Sequence, residues 1–142
     1  MSTTLYRELI LEHSRNPRNA GRLERPSHYA RAANPLCGDE LEISLRLEDD
    51  RVVEIRAAVR GCIISQAASS LMTTVVQASR LAELRAWARA FRGALEDASR
   101  TLPPGLEPLA PLLELRQHPS RIGCALLSWV ALERALDEGP AI

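Results

Sequence analysis

Three cysteines and one aspartate are the residues of this chain best suited to chemistry: Cys37, Asp39, Cys62 and Cys124. Thiolates and carboxylates bind metal ions, and a thiolate also attacks sulfur. Each cysteine lies at a predicted junction, and two of them begin predicted helices. A thiol at a helix N-terminus meets unpaired N–H groups and the positive end of the helix dipole, which both favour the thiolate form.

Asp39 follows Cys37 with a single glycine between them. In an extended segment, residues two apart project to the same side, so the carboxylate and the thiolate are able to address one ion. Three thiolates and one carboxylate oxygen would complete a tetrahedral shell suited to zinc. The same thiolates are also suited to iron and sulfide.

The spacing by itself leaves a shared site and simple packing as equal alternatives. Free cysteines are among the most commonly buried residues. Here 25 positions separate Cys37 from Cys62 and 62 separate Cys62 from Cys124, and no Cys-x-x-Cys knuckle is present. An odd number of cysteines also cannot all pair within one chain.

Composition limits the classes of function. A length of 142 residues fits a single domain, 1–142. The formal net charge is zero, so no general attraction to nucleic acid or to an anionic membrane is expected. No apolar run approaches the roughly 18 residues of a membrane span, and no signal peptide is evident, so we expect a cytoplasmic protein with reduced thiols. The absence of lysine excludes Schiff-base chemistry.

The elements that must position these residues follow from hydrophobic periodicity. Apolar and polar residues alternate strictly from Glu40 to Glu48, and a second alternating stretch covers 53–60 after Asp49-Asp50. The two stretches predict an antiparallel hairpin. Helical patterns precede and follow this hairpin, which is an α+β order. The predicted helices span about 4–14, 62–79, 81–91 and 124–137, with a further short apolar segment at 106–115 that is helical in pattern.

The residues around the cysteines form three ordered blocks. They are Asn34-Pro35-Leu36-Cys37-Gly38-Asp39, the stretch from Gly61-Cys62 to Thr73, and Pro119-Ser120-Arg121 with Cys124-Ala125. Together with Leu5-Tyr6-Arg7 and Asn16-Pro17-Arg18-Asn19, they resemble the family of iron–sulfur cluster assembly proteins called IscU, SufU and NifU N-terminal domains, over nearly the whole chain. The resemblance implies a small three-stranded antiparallel sheet packed with about four to six helices, with its third strand near residues 29–33.

Within that family the chain looks like the SufU-type branch, because the stretch between the second and third cysteines is long and Gly123 stands where the other branch has histidine. The resemblance implies zinc bound by Cys37, Asp39, Cys62 and Cys124. It also implies that Cys37 accepts sulfur from a SufS-like, pyridoxal-phosphate-dependent cysteine desulfurase, with other cluster assembly components as further partners.

Some nearby residues carry weaker signals. Gly123 departs from the basic residue usual in that branch, and Arg121 is a candidate to supply the positive charge instead. His118 is an alternative metal ligand, although a loop histidine before proline is more often simply exposed. His13 and His28 are interpreted as ordinary helix or surface residues.

Two alternatives remain at this stage. One is a non-enzymatic scaffold on which a [2Fe–2S] cluster is assembled and transferred, with iron in place of zinc. The other is a structural zinc protein without sulfur chemistry. Whether the protein acts as a sulfurtransferase-like enzyme is therefore left open by the sequence.

Overall fold

The computed structural model describes residues 3–138 and confirms the predicted α+β class. Within these residues, four α-helices and two 3₁₀ segments accompany one antiparallel sheet of strand order β1-β2-β3. In chain order the elements are α1 (Thr3–Arg15), β1 (His28–Asn34), β2 (Asp39–Glu48), β3 (Arg51–Arg60), α2 (Ile63–Val76), α3 (Leu81–Glu96), 3₁₀ segments at Glu107–Gln117 and Pro119–Arg121, and α4 (Ile122–Glu138).

The β2–β3 hairpin forms as predicted, with one difference: a register shift at Arg46/Leu47 accompanies burial of Val52 rather than Val53 in β3. Leu41, Ile43 and Leu45 are buried on one face of β2. Asp49 and Asp50 form the two-residue turn, and both have positive φ, at 51° and 60°. This is the conformation of a type I′ turn, whose twist matches that of the paired strands.

The strand register brings the predicted site residues to one end of the sheet. Asn34 at the end of β1 lies opposite Asp39 at the start of β2, and Glu40 lies opposite Arg60 at the end of β3. The turn at 35–38 and the start of α2 are therefore neighbours, although they are far apart in sequence.

The helices cover one face of the sheet. α4 packs across β1 and β2, α2 packs against β3, and α1 packs against α2. The rings of Phe91 in α3 and Trp129 in α4 lie 6.0 Å apart between their centroids, within the core. The final helix is therefore held between the sheet and the remaining helices, which fixes the position of its first turn.

The apolar segment predicted at 106–115 is a 3₁₀ helix rather than an α-helix. Leu106, Leu109, Leu112 and Leu115 are all fully buried, and their spacing of three matches the three residues per turn of a 3₁₀ helix. Proline at position 111 also removes a donor that an α-helix would need.

Most other differences concern boundaries. α2 ends at Val76, three residues before the predicted end, because Ala78 adopts positive φ. α3 continues to Glu96, and α4 begins two residues before Cys124. The strand implied near residues 29–33 is present as β1. Within residues 3–138, no helix is long and apolar enough to cross a bilayer.

His13 differs from its interpretation as an ordinary helix or surface residue. It is buried, and its Nδ1 lies 2.7 Å from the Ser70 hydroxyl of α2. The same hydroxyl accepts a hydrogen bond from the backbone N–H of Arg18. Burial, together with the nearby Arg18 charge, lowers the pKa of His13 below its usual 6.5. The neutral imidazole therefore helps to join α1 to α2.

This burial predicts a pH-dependent stability. Because the pKa of His13 is lower in the folded chain, the unfolded chain takes up the proton first as the pH falls. The free energy of unfolding should be fully maintained above about pH 6.5 and should decrease below it. In a His13→Gln variant, urea unfolding measured between pH 7.5 and pH 5 should show a shallower decrease. An unchanged pH slope would contradict the assignment.

Candidate metal centre

The turn between β1 and β2 presents Cys37 to solvent. The Asn34 carbonyl accepts hydrogen bonds from the backbone N–H groups of Cys37 and Gly38, at 3.2 and 2.9 Å. The side-chain oxygen of Asn34 accepts a third hydrogen bond, from the backbone N–H of Leu36, at 3.2 Å. Gly38 has a φ of +72°, a conformation that glycine adopts at low cost. The chain therefore reverses sharply, leaving the Cys37 thiol exposed and turning Asp39 inward.

Asp39 is almost completely buried, and both of its carboxylate oxygens have partners. Oδ1 accepts the backbone N–H of Cys62 at 2.8 Å. Oδ2 lies 3.0 Å from the Cys37 sulfur and 3.3 Å from the Cys62 sulfur, and it accepts a hydrogen bond from the Ser65 hydroxyl. Burial alone would raise the pKa of this carboxyl, but these hydrogen bonds hold the pKa of Asp39 well below its usual range. A buried, ionised carboxylate is therefore present at neutral pH.

Gly61 makes this arrangement possible. A β-carbon at position 61 would lie 2.4 Å from Asp39 Oδ1 and 2.9 Å from Asp39 Cβ. Any other residue would have to displace the carboxylate. The glycine that breaks the strand pattern in the sequence is thus the residue that lets β3 pass against Asp39.

Cys62 is the N-cap of α2. Its sulfur accepts the backbone N–H of Ser65 at 3.4 Å, which is the interaction expected for a side chain at a helix start. The thiol is partly exposed. This cysteine therefore has the predicted position at a helix N-terminus.

Cys124 lies within the first turn of α4 and is buried. Its sulfur is 3.4 Å from that of Cys37. Burial raises the pKa of the Cys124 thiol, and the hydrogen bonds with Cys37, Cys62 and Asp39 add to this. The expected effect of the helix start on the Cys124 thiol is therefore opposed by burial, because desolvation disfavours the charged thiolate.

Three of the four predicted ligands lie close together in the structure, and the fourth lies beside them. In the part of the chain described, Cys37, Asp39 and Cys124 form a group whose ligand atoms all lie within 4.8 Å of one another. Cys62 is not a member of this group, but its sulfur is adjacent to Asp39 Oδ2.

The spacing of these donors suits a small tetrahedral ion. Bonds of about 2.3 Å to sulfur and about 2.1 Å to oxygen place ligand atoms about 3.6 to 3.8 Å apart around zinc. The Cys37 sulfur lies 3.4 Å from the Cys124 sulfur and 3.0 Å from Asp39 Oδ2, so these three donors need only a slight expansion. The Cys62 sulfur lies 3.3 Å from Asp39 Oδ2 but outside the 4.8 Å group, so it would have to move closer to at least one of the other ligand atoms. Three thiols and one carboxylate therefore fit the donor preferences of zinc.

The weaker candidates lie outside the ligand group. Arg121 and His118 are exposed, and neither belongs to the ligand group among the described residues. A β-carbon at Gly123 would lie 2.8 Å from the Asn34 side-chain nitrogen. Glycine at this position lets the start of α4 approach Asn34, the residue that organises the Cys37 turn. This close approach is a structural explanation for glycine at position 123.

Ser65 is the site residue that the sequence did not single out. It is fully buried, and its hydroxyl lies between Asp39 and the carbonyl of Cys124. Ser65 is the third residue of α2, three positions after the N-cap Cys62. This spacing is the sequence feature that could have indicated a position next to the site.

Known proteins resemble this chain over most of its length. Residues 5–96 match the model of the NifU-like N-terminal domain. The chain is 33% identical to the zinc-dependent sulfurtransferase SufU of Bacillus subtilis, over 96% of this chain and 93% of the relative. It is 30% identical to the iron–sulfur cluster assembly scaffold protein IscU of Streptococcus pyogenes, over 93% of this chain and 82% of that protein.

A solved structure extends the likeness to the fold. The N-terminal part of a nitrogen-fixing NifU-like protein from Brucella abortus superposes with a TM-score of 0.85 at 25% identity, covering 94% of this chain and 92% of that one. The family match covers more than half of the chain, and the blocks around Cys37 and Cys62 lie within it. This chain belongs to the NifU-like N-terminal domain family, which the resemblance in its sequence had indicated.

Proposed function

We propose that this protein is a zinc-bound sulfur acceptor in iron–sulfur cluster biogenesis, which takes persulfide sulfur from a cysteine desulfurase on Cys37. The observation that carries the proposal is the graded exposure of one thiol cluster. Cys37 is exposed, Cys62 is partly exposed and Cys124 is buried, around the ionised carboxylate of Asp39. The name of the B. subtilis relative, a zinc-dependent sulfurtransferase, supports the same function.

Cys37, Asp39, Cys62 and Cys124 would hold the metal. Zinc, when bound, keeps coordinating thiols deprotonated at neutral pH. The chain contributes the placement of the donors. Asp39 is fixed by hydrogen bonds from the first turn of α2, and Cys124 by the packing of α4.

The sulfur transfer is a balanced exchange. The thiolate of Cys37 attacks the outer sulfur of a persulfide on the desulfurase. A bond forms between the Cys37 sulfur and that outer sulfur, while the sulfur–sulfur bond of the donor breaks. The electron pair returns to the desulfurase cysteine as a thiolate, so no external oxidant or reductant is required. Cys37 suits this role because its turn projects it from the surface.

The scaffold alternative and the structural zinc alternative make different predictions. After anaerobic incubation with iron and sulfide, a sulfur acceptor should retain zinc and develop no stable visible chromophore. A stable chromophore with zinc displaced would favour the [2Fe–2S] scaffold. A purely structural zinc protein would bind zinc but would not stimulate desulfurase turnover.

Metal binding should depend on the close approach between the Gly61 backbone and the Asp39 carboxylate. In Gly61→Ala the new methyl group collides with Asp39, so zinc affinity should fall by about tenfold or more, as for other changes that misplace a ligand. Affinity is measured by competition with a chromophoric chelator under anaerobic, reducing conditions.

Gly93→Ala is the matched control. Gly93 lies in α3, which contributes no ligand to the site. The nearest atoms to a β-carbon at position 93 belong to the flexible side chain of Arg100. Zinc affinity should be unchanged in this variant. Equal affinity in the Gly61 and Gly93 variants would contradict the assignment of Asp39 as a ligand.

Sulfur should arrive on Cys37. After reaction with a cysteine desulfurase and cysteine, followed by alkylation and mass spectrometry, the extra sulfur atom should be found on Cys37 in the wild-type chain. Cys37→Ser should reduce both this labelling and the stimulation of desulfurase turnover to background. Labelling confined to Cys62 or Cys124 would overturn the assignment of the acceptor.

A further inference from the structure

The Ser65 hydroxyl occupies the space directly behind the ligand cluster. Ser65 has no exposed surface and lies in the first turn of α2. Its oxygen contacts Asp39 Oδ2, lies 3.3 Å from the carbonyl oxygen of Cys124, and lies 3.8 Å from the Cys62 sulfur. It thus meets groups from β2, α2 and α4 at once.

A hydroxyl carries one proton, and the geometry decides where it points. A carboxylate is a stronger acceptor than a backbone carbonyl, and Asp39 Oδ2 is the nearer of the two. Ser65 therefore donates to Oδ2, while the backbone N–H of Cys62 donates to Oδ1. The start of α2 therefore supplies a donor to each carboxylate oxygen, and this pair of hydrogen bonds restricts the rotation of the carboxylate.

This rotation determines which oxygen meets the thiols. Oδ2 faces the sulfurs of Cys37 and Cys62 at 3.0 and 3.3 Å, while Oδ1 is turned toward the backbone of α2. Apart from the thiols, the Cys62 backbone N–H and the Ser65 hydroxyl are the donors to this carboxylate within the described residues, so removing the hydroxyl would leave the N–H alone to hold the orientation.

We propose that Ser65 is a positioning residue, which orients the Asp39 carboxylate so that Oδ2 alone binds the metal. This inference rests on the proposed metal site. Ser65 affects the metal only through Asp39, so its effect on zinc affinity should disappear when Asp39 is replaced.

The test is a double-mutant cycle on zinc affinity. Zinc dissociation constants are measured by chelator competition for the wild-type chain, Ser65→Ala, Asp39→Ala and the double variant, with folding checked by circular dichroism. Ser65→Ala should weaken binding by about tenfold in the wild-type background, as is typical for groups that orient a ligand. In the Asp39→Ala background it should change the affinity by less than about twofold, since no carboxylate remains to be oriented.

Ser69→Ala is the matched control. Ser69 lies one turn further along α2, is equally buried, and has no hydrogen-bond partner for its hydroxyl within the described structure. Its removal should leave zinc affinity unchanged. Ser65→Thr, which retains the hydroxyl, should retain affinity within about twofold. Ser65→Gly takes the place of Ser65→Ala in the cycle if the alanine variant does not fold.

The cobalt-substituted protein gives a second readout. Ser65→Ala should shift the visible absorption bands of bound Co²⁺, because the carboxylate changes its orientation, whereas Ser69→Ala should not. Equal losses of affinity in both backgrounds, or an unshifted cobalt spectrum in Ser65→Ala, would overturn the positioning role. A wild-type chain that binds no zinc would instead refute the proposed function.

Discussion

The hydrogen bonds between Asp39 and the first turn of α2 are the interaction on which the rest of the site depends. An ionised carboxylate is costly to bury unless its oxygens are compensated. Here the backbone N–H of Cys62 and the hydroxyl of Ser65 provide that compensation, and they do so from a helix N-terminus, where donors are unpaired. The same bonds join the start of α2 to the start of β2, and the contact is close enough to require glycine at position 61.

Each thiol reaches the site on a different element. The β1–β2 turn carries Cys37, the start of α2 carries Cys62, and the first turn of α4 carries Cys124. The sheet register aligns the first two, and the packing of α4 across β1 and β2 supplies the third. This division explains why the thiols differ in exposure. The most accessible thiol is on the turn, and the least accessible is on α4, which packs across the sheet.

The sequence predicted the individual helices and strands better than the contacts that bring the cysteines together. The alternation over 40–48 and 53–60 predicts the hairpin because one face of each strand must be buried. The leucines at 106, 109, 112 and 115 indicate a 3₁₀ helix only when their spacing of three is set against the α-helical 3.6. Convergence of the cysteines depends on contacts far apart in sequence, so residue spacing left it undecided and the family resemblance indicated it.

Burial accounts for what the sequence analysis missed. The raised pKa of Cys124 and the buried position of His13 follow from tertiary packing, which a helix-start rule or a helical pattern does not include. Ser65 is one of several serines in α2, and only its position beneath Asp39 distinguishes it from Ser69.

The proposed site binds one ion through three sulfurs and one oxygen of this chain. Zinc X-ray absorption spectroscopy on the anaerobically purified wild-type protein measures these ligands directly. Three sulfur ligands at about 2.3 Å and one oxygen ligand at about 2.0 to 2.2 Å are expected. A shell containing histidine nitrogen, four sulfurs or only oxygen ligands would contradict the proposed site.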